Sequence, residues 1–251
     1  MQLLDAIAFN VVRGVSHAPK GGGLFTRCVA RIIPRLQHCP IETRYGRIYC
    51  DLRESVCLPL LRYGEYPHWR ADEEAIARIP LSSESIVIDV GANIGVTVRL
   101  FAARAGHVHA FEPAPRAIPL LTANTADLDN VTIHHFALSD KDGPVYLDES
   151  KNLDFSRLSE TGIPVLAKKI DSLGLAPAFI KIDVEGFEHL VLEGARETIS
   201  KHSPVIMFEA WDEAARQRSE NIIRGANPNY TFEPIGQKLN HIAWPKREKS
   251  D

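Results

Sequence analysis

From residue 85 onward, apolar runs of strand length alternate with stretches of helical period. Ile86-Val87-Ile88-Asp89-Val90 is short, mostly apolar and rich in β-branched residues, as a strand buried on both faces should be. The pattern then predicts a helix over 96–105, a strand over 108–111, a helix over 115–127 and, past a turn at Asn130, a strand over 131–136. A polar-edged hairpin or strand at 145–147 sits in an insertion that reaches residue 173. Strands over 179–183 and 205–209 flank a helix over 187–200, and 230–232 and 241–244 close the sheet. Repeated strand–helix units imply right-handed crossovers, so the fold class is α/β with a doubly wound, mostly parallel sheet.

Upstream the pattern is different. Two short helix-like pieces flank Gly21-Gly22-Gly23, a hairpin is expected over 44–52 with its turn at Tyr45-Gly46, and an aromatic, turn-prone segment runs from Tyr63 to Trp69. A helix over 72–78 ends before Pro80. We therefore expect an N-terminal extension and helical lid over 1–80, followed by the α/β domain over 81–251.

Composition narrows the class. With 251 residues, 45% hydrophobic and 24% charged, the chain is an ordinary globular protein. A net charge of −3 is too mild for nucleic acid or an anionic membrane as the main partner. No run approaches the ~18 apolar residues of a membrane span, and the N-terminus lacks the charge order of a secretory signal. Cys28, Cys39, Cys50 and Cys57 show no metal-finger spacing and read as buried thiols, so the expected location is cytoplasmic. The first zone is basic, with Arg13, Lys20, Arg27, Arg31, Arg35, Arg44 and Arg47 against Asp5 and Glu42. Such a strip could touch an anionic lipid, a glycan or a phosphate, and more often it is simply a solvated face.

Doubly wound sheets bind ligands outside the carboxyl ends of their strands. After the first strand comes Asp89-Val90-Gly91-Ala92-Asn93-Ile94-Gly95, leading into a helix, and Glu112 ends the second strand. Glycines let the backbone turn tightly beside a ligand, and an acid at the second strand end can accept both hydroxyl hydrogens of a ribose. Asn93 stands where a dinucleotide site has its middle glycine, and Asp89 adds negative charge; both disfavour a pyrophosphate. They suit S-adenosylmethionine, which has no phosphate and carries a sulfonium and an ammonium. Ala137 to Asp140, with Ala137 and Ser139 as contact residues, are placed to edge the adenine pocket.

The fourth strand carries the densest chemistry, Lys181-Ile182-Asp183-Val184-Glu185-Gly186-Phe187-Glu188-His189, and Glu209 ends the fifth. Four carboxylates at one cleft edge repel each other unless something positive sits among them. Asp183, Glu185 and Glu209 are the candidate catalytic residues. Glu188 has a simpler role, an acid favoured in the first turn of a helix. His134 and His135 alternate on a strand and His189 follows the acidic segment. Tyr63, Tyr66, His68, Trp69 and Trp211 could pack in a core or lid, or present aromatic faces to a sugar.

Asp-Val-Gly-Ala-Asn-Ile-Gly (89–95), Ala-Phe-Glu-Pro (110–113) and Lys-Ile-Asp-Val-Glu-Gly-Phe-Glu (181–188), with Glu209, resemble the FkbM family of S-adenosylmethionine-dependent methyltransferases over about residues 60–210. The resemblance implies a class I methyltransferase (Rossmann-like) fold, with a seven-stranded sheet whose last strand is antiparallel. It implies O-methylation of a hydroxyl on a sugar or secondary metabolite. Position by position, Asp89, Gly91, Asn93 and Gly95 resemble the family's cofactor loop, Glu112 its ribose acid, and Asp183 with Glu185 its strand-four signature.

An alcohol acceptor must lose a proton, to a base or with help from a divalent cation. Asp183 is the first candidate for either task; with Glu209 it could hold magnesium or manganese, which prefer oxygen ligands. The expected partner is a small-molecule or glycan acceptor. Two other classes stay open: a nucleoside-binding protein without turnover, and an NAD-dependent oxidoreductase with a degenerate glycine loop.

Overall fold

The computed structural model describes residues 3–18, 21–149, 153, 156–236 and 239–246. Its N-terminal extension begins with helices α1 (Leu3–Ser16) and α2 (Gly22–Ile32), joined through Gly21 at a left-handed φ of 81°. Lys20, part of the basic strip, lies outside the described residues. A hairpin of β1 (Cys39–Thr43) and β2 (Gly46–Cys50) follows, then helices α3 (Cys57–Tyr63) and α4 (Arg70–Ala77). The turn is at Arg44-Tyr45, one residue before the expected Tyr45-Gly46, and the first strand starts earlier than the hydrophobic pattern suggests, with Cys39 opposite Cys50. Alternation explains it: Cys39, Ile41, Ile48 and Cys50 all point into the core.

The α/β portion comprises β3 (Ile86–Val90), α5 (Val96–Ala102), β4 (His107–Phe111), α6 (Ile118–Thr125) and β5 (Val131–His134). An insertion supplies β6 (Ala137–Leu138), β7 (Gly143–Asp148), β8 (Arg157–Ser159) and β9 (Ile163–Lys168). The chain then returns through β10 (Phe179–Ile182), α7 (Glu188–Glu193), α8 (Arg196–His202), β11 (Val205–Glu209), α9 (Glu213–Ala226), β12 (Tyr230–Ile235) and β13 (Asn240–Pro245). The central sheet has seven strands in the order β12-β13-β11-β10-β3-β4-β5. Strands β11, β10, β3, β4 and β5 are parallel, and β13 runs antiparallel to both of its neighbours. The order reverses between β3 and β10, which places the ligand crevice at their carboxyl ends.

Two further elements depart from the hydrophobic pattern, each for a tertiary reason. The third parallel strand stops at His134 because Ala137 and Leu138 leave it to pair with β9, in a separate four-stranded sheet of order β6-β9-β7-β8. The stretch expected as one helix over 187–200 is two, broken at Gly194-Ala195. A Cβ on Gly194 would lie 2.0 Å from the Ser139 carbonyl oxygen, so only glycine allows the insertion to pack there. The Gly194 carbonyl in turn accepts the Asp171 amide, which a continuous helix would not release.

Both faces of the sheet are covered. On one, Ile88, Ile180, Ile206 and Phe208 pack with Leu192, Ile199 and Ile223; on the other, Val87, Phe179 and Met207 pack with Ile76, Ile79 and Phe101. A third cluster joins Ile41, Ile48, Leu60 and Leu61 of the extension to Ile94, Val96, Leu120 and Leu147 near the carboxyl edge. Polar ties hold the extension in place. Asn124 donates to the Tyr49 and Ile94 carbonyls, and Arg99 donates to the Tyr45 carbonyl while pairing with Asp127. No described helix is long and apolar enough to cross a membrane.

Candidate functional site

At the switch point lies a cavity of about 500 Å³, within the usual range for small-molecule sites. Its floor is the strand ends, with Val90, Phe111, Leu138 and Lys181. The extension forms one wall with Val56, Pro59, Tyr66, Trp69 and Asp72, and the insertion forms another with Leu147, Leu153 and Leu158. Asn240 donates to Asp72 at 2.8 Å, tying α4 to the β12–β13 end of the cavity.

The glycine loop is shaped by contact rather than by turn propensity alone. Gly91 has φ +78°, and a Cβ there would meet the Asp183 carbonyl oxygen at 1.9 Å. The first and fourth strand ends can therefore lie side by side only because this residue has no side chain. Asn93 also adopts a left-handed φ of 49°, lines the cavity, and leaves its buried Oδ1 without a donor. Glu112 lines the cavity from the second strand end and locks the loop, its carboxylate accepting from the Asn93 amide at 2.7 Å and the Ala114 amide at 2.8 Å. Burial pushes the Glu112 carboxyl up to about 7, against the pull of those two amides. Asp89 is fully buried beneath the loop, does not line the cavity, and accepts from the Thr97 hydroxyl at 2.6 Å.

Strand alternation assembles the acidic cluster. Ile182 lies opposite Phe208, so Asp183 and Glu209, one residue further on, leave the sheet side by side on the same face. Asp183, Glu185 and Glu209 each offer a carboxylate oxygen within 4.8 Å of the others. Glu185 reaches its place from a left-handed φ of 57°, followed by Gly186 at 96°. Burial and then Asp183 push the Glu209 carboxyl up to about 7, although the Trp211 indole donates to it at 2.9 Å. Glu188 turns away from the cavity and accepts the Val184 and Gly186 amides, so it orders the loop that presents Glu185.

The counter-charge is Lys181. Its ammonium lies 3.4 Å from Asp89 and 3.2 Å from Asp183. Burial alone would lower its pKa, but Asp183 and Asp89 outweigh that and raise it, so the lysine is a cation. The sequence carries a signal for it: a lysine inside Phe179-Ile180-Lys181-Ile182, on a strand buried on both faces, must have carboxylates beside it.

Other predicted positions fall around this centre. Ala137 lines the cavity, whereas Ser139 is buried behind it with its hydroxyl toward Asp140. Gly95 caps α5 with φ +88° against Leu121 and does not line the cavity. Tyr66, His68 and Trp69 line the cavity, with the Tyr66 and Trp69 rings 4.3 Å apart. Tyr63 and Trp211 are exposed and outside it. His134 stacks on Phe111 at 4.3 Å and shares a 3.0 Å contact with His109, away from the cavity.

Among solved structures, the chain is similar to an FkbM methyltransferase from Methylobacillus flagellatus KT, with TM-score 0.54 and 20% identity over 67% of this chain. That match covers 45% of the other protein, less than half its length. A precorrin-6y C5,15-methyltransferase from Geobacter metallireducens GS-15 is similar at TM-score 0.44 and 13% identity, over 68% of this chain and 86% of that one. TYW2 of M. jannaschii, solved with AdoMet, is similar at TM-score 0.48 and 13% identity, over 82% and 84%. No curated protein matches the sequence. The model of the methyltransferase FkbM domain matches residues 89–224, from the aspartate under the glycine loop into α9 and across every strand-end acid described above. With more than half of its 251 residues inside that match, the chain belongs to the FkbM methyltransferase family.

Proposed function

We propose that the protein transfers a methyl group from S-adenosylmethionine to a hydroxyl of a sugar, in a polysaccharide or lipo-oligosaccharide, or of a secondary metabolite. One observation carries this: a single cavity gathers the glycine loop, the buried Glu112 and the Asp183–Glu185–Glu209 cluster. The residues present suit the donor. Each Glu112 oxygen has a lone pair left for a ribose hydroxyl. The orphaned Asn93 acceptor and the nearby carboxylates suit an ammonium-bearing cation. When bound, S-adenosylmethionine supplies an electrophilic methyl carbon beside a sulfonium leaving group.

The chain's own contribution is placement and proton removal. In-line displacement needs the acceptor oxygen opposite the sulfur, and holding two reactants so is worth up to ~7–11 kcal/mol. In this proposal residues 1–80 act as the lid, with Tyr66, His68 and Trp69 lying against the acceptor and excluding water. Asp183, with Glu185 or Glu209 helping, takes the hydroxyl proton, while Lys181 offsets the accumulated negative charge. The three carboxylates also fit a magnesium or manganese ion by donor chemistry, and such an ion would lower the pKa of a bound hydroxyl.

Calorimetric titration with S-adenosylhomocysteine and, separately, NAD tests the reading. S-adenosylhomocysteine binds and NAD does not, and Glu112→Ala loses the binding. Affinity for NAD alone, or for neither, would refute it.

A further inference from the structure

We infer that the outer face of α2, with α1 beside it, docks this protein on an anionic lipid bilayer. Apart from Val29, which packs partly buried against the core, this helix turns its large apolar side chains outward. It buries Gly22, Thr26 and Ala30, its small side chains, and turns Leu24 (61% exposed), Phe25 (43%) and Ile32 (80%) to solvent. Cys28 is exposed between them, so the apolar positions follow the i, i+1, i+4, i+8 spacing of one helix face. The neighbouring α1 leaves Ile7 and Val11, one turn apart, half exposed. An exposed apolar stripe of this kind along one helix face marks an interaction surface.

Charge selects the occupant. Between Ala6 and Ile41 there is no Asp or Glu, although the whole chain is net −3. Arg27 and Arg31 lie on one flank of the apolar stripe, and the exposed Arg13 and Arg35 lie on the adjoining segments. Among the described residues no carboxylate pairs with Arg13, Arg27 or Arg31. A second copy of the chain on this face would bring arginine against arginine, because a two-fold contact repeats the same patch. An anionic bilayer meets both features at once: acyl chains take the apolar stripe and headgroups take the guanidinium groups. Eleven residues make a helix of about 16 Å, long enough to lie in the interface and too short to span it. The docked layer is also close to the cavity, since α1 packs on α3, where Pro59 is part of the cavity wall. The inference does not depend on what reaction the cavity performs.

Flotation of the full chain with phosphatidylcholine vesicles, alone or with one third phosphatidylglycerol, tests it. The protein should float with the anionic vesicles, and added salt should release it. Leu24→Asn with Ile32→Asn should lower partitioning at least about tenfold, and Arg27→Gln or Arg31→Gln about fivefold for each charge removed. Phe25→Trp keeps the fold-neutral surface and gives a second readout: its emission should shift to the blue only with anionic vesicles. The inference fails if the protein ignores anionic vesicles, or if the Leu24/Ile32 variant floats like the parent. It also fails if the parent is a dimer that this variant converts to monomer while neither binds vesicles, which would assign the face to a second copy.

Discussion

Lys181→Met removes the only side-chain cation found within the buried cluster among the described residues, and its cost can be worked from the geometry. Lys181 is 8% exposed and Asp89 is 0% exposed, with 3.4 Å between ammonium and carboxylate. At an effective dielectric of about 20 that separation gives about 5 kcal/mol of attraction. The burial of both ions opposes it, yet removing one partner strands the other, which typically costs about 3–5 kcal/mol. The Asp183 contact adds little, because that side chain is 38% exposed and solvent screens it. For a chain of this size the expected fall in melting temperature is roughly 6–20 °C. Calorimetry at neutral pH measures it, and urea titration gives the free energy. Asp89→Asn in the same chain removes the stranded charge and retains a polar partner for Thr97, so the double variant should recover at least about half of the loss. A cost below about 1 kcal/mol for Lys181→Met, or no recovery in the double variant, would refute the account of Lys181 as the cluster's counter-ion.

Three further outcomes are expected. Gly91→Ala forces a methyl group onto the Asp183 carbonyl at a positive φ and should cost more than about 2 kcal/mol together with S-adenosylhomocysteine binding, measured by urea titration and calorimetry; Gly186→Ala, also at positive φ but with open space around it, should cost only about 1 kcal/mol. Asp183→Asn should keep cofactor affinity and lose methyl transfer by about 10²–10⁴-fold, and normal transfer would remove Asp183 from the proton-accepting role. His109 is held down to about 4 by burial and by His107 and His134. Its folded pKa lies below the unfolded value, so stability is intact above pH ~6.5 and falls as the unfolded chain takes up a proton between there and ~4. His109→Leu should flatten that acid limb in urea midpoints measured across the same window; an unchanged limb would contradict it.

The sheet was legible in the sequence because strands buried on both faces need apolar, β-branched runs whatever surrounds them, and Ile86–Val90, Phe179–Ile182 and Val205–Glu209 all read that way. Position at a strand end likewise marked Gly91, Glu112, Asp183 and Glu209, since the edge of such a sheet is where side chains can meet a ligand. What the linear pattern could not convey was proximity. The break at Gly194 exists because Ser139 packs there, and the methyl-free Gly91 is demanded by Asp183, ninety-two positions away. Lys181 looks like one polar residue in an apolar strand until parallel pairing sets it opposite Asp89. The small second sheet and the extension's share of the cavity wall have the same origin: short polar-edged strands carry too weak a period to be told from loops, and only long-range packing decides which surface they cover. The outward turn of Leu24, Phe25 and Ile32 is the sharpest case. Periodicity marks an amphipathic helix, but which face is buried was decided by the close approach of Gly22 to the end of α1, where a Cβ would meet the Val15 carbonyl oxygen at 2.5 Å.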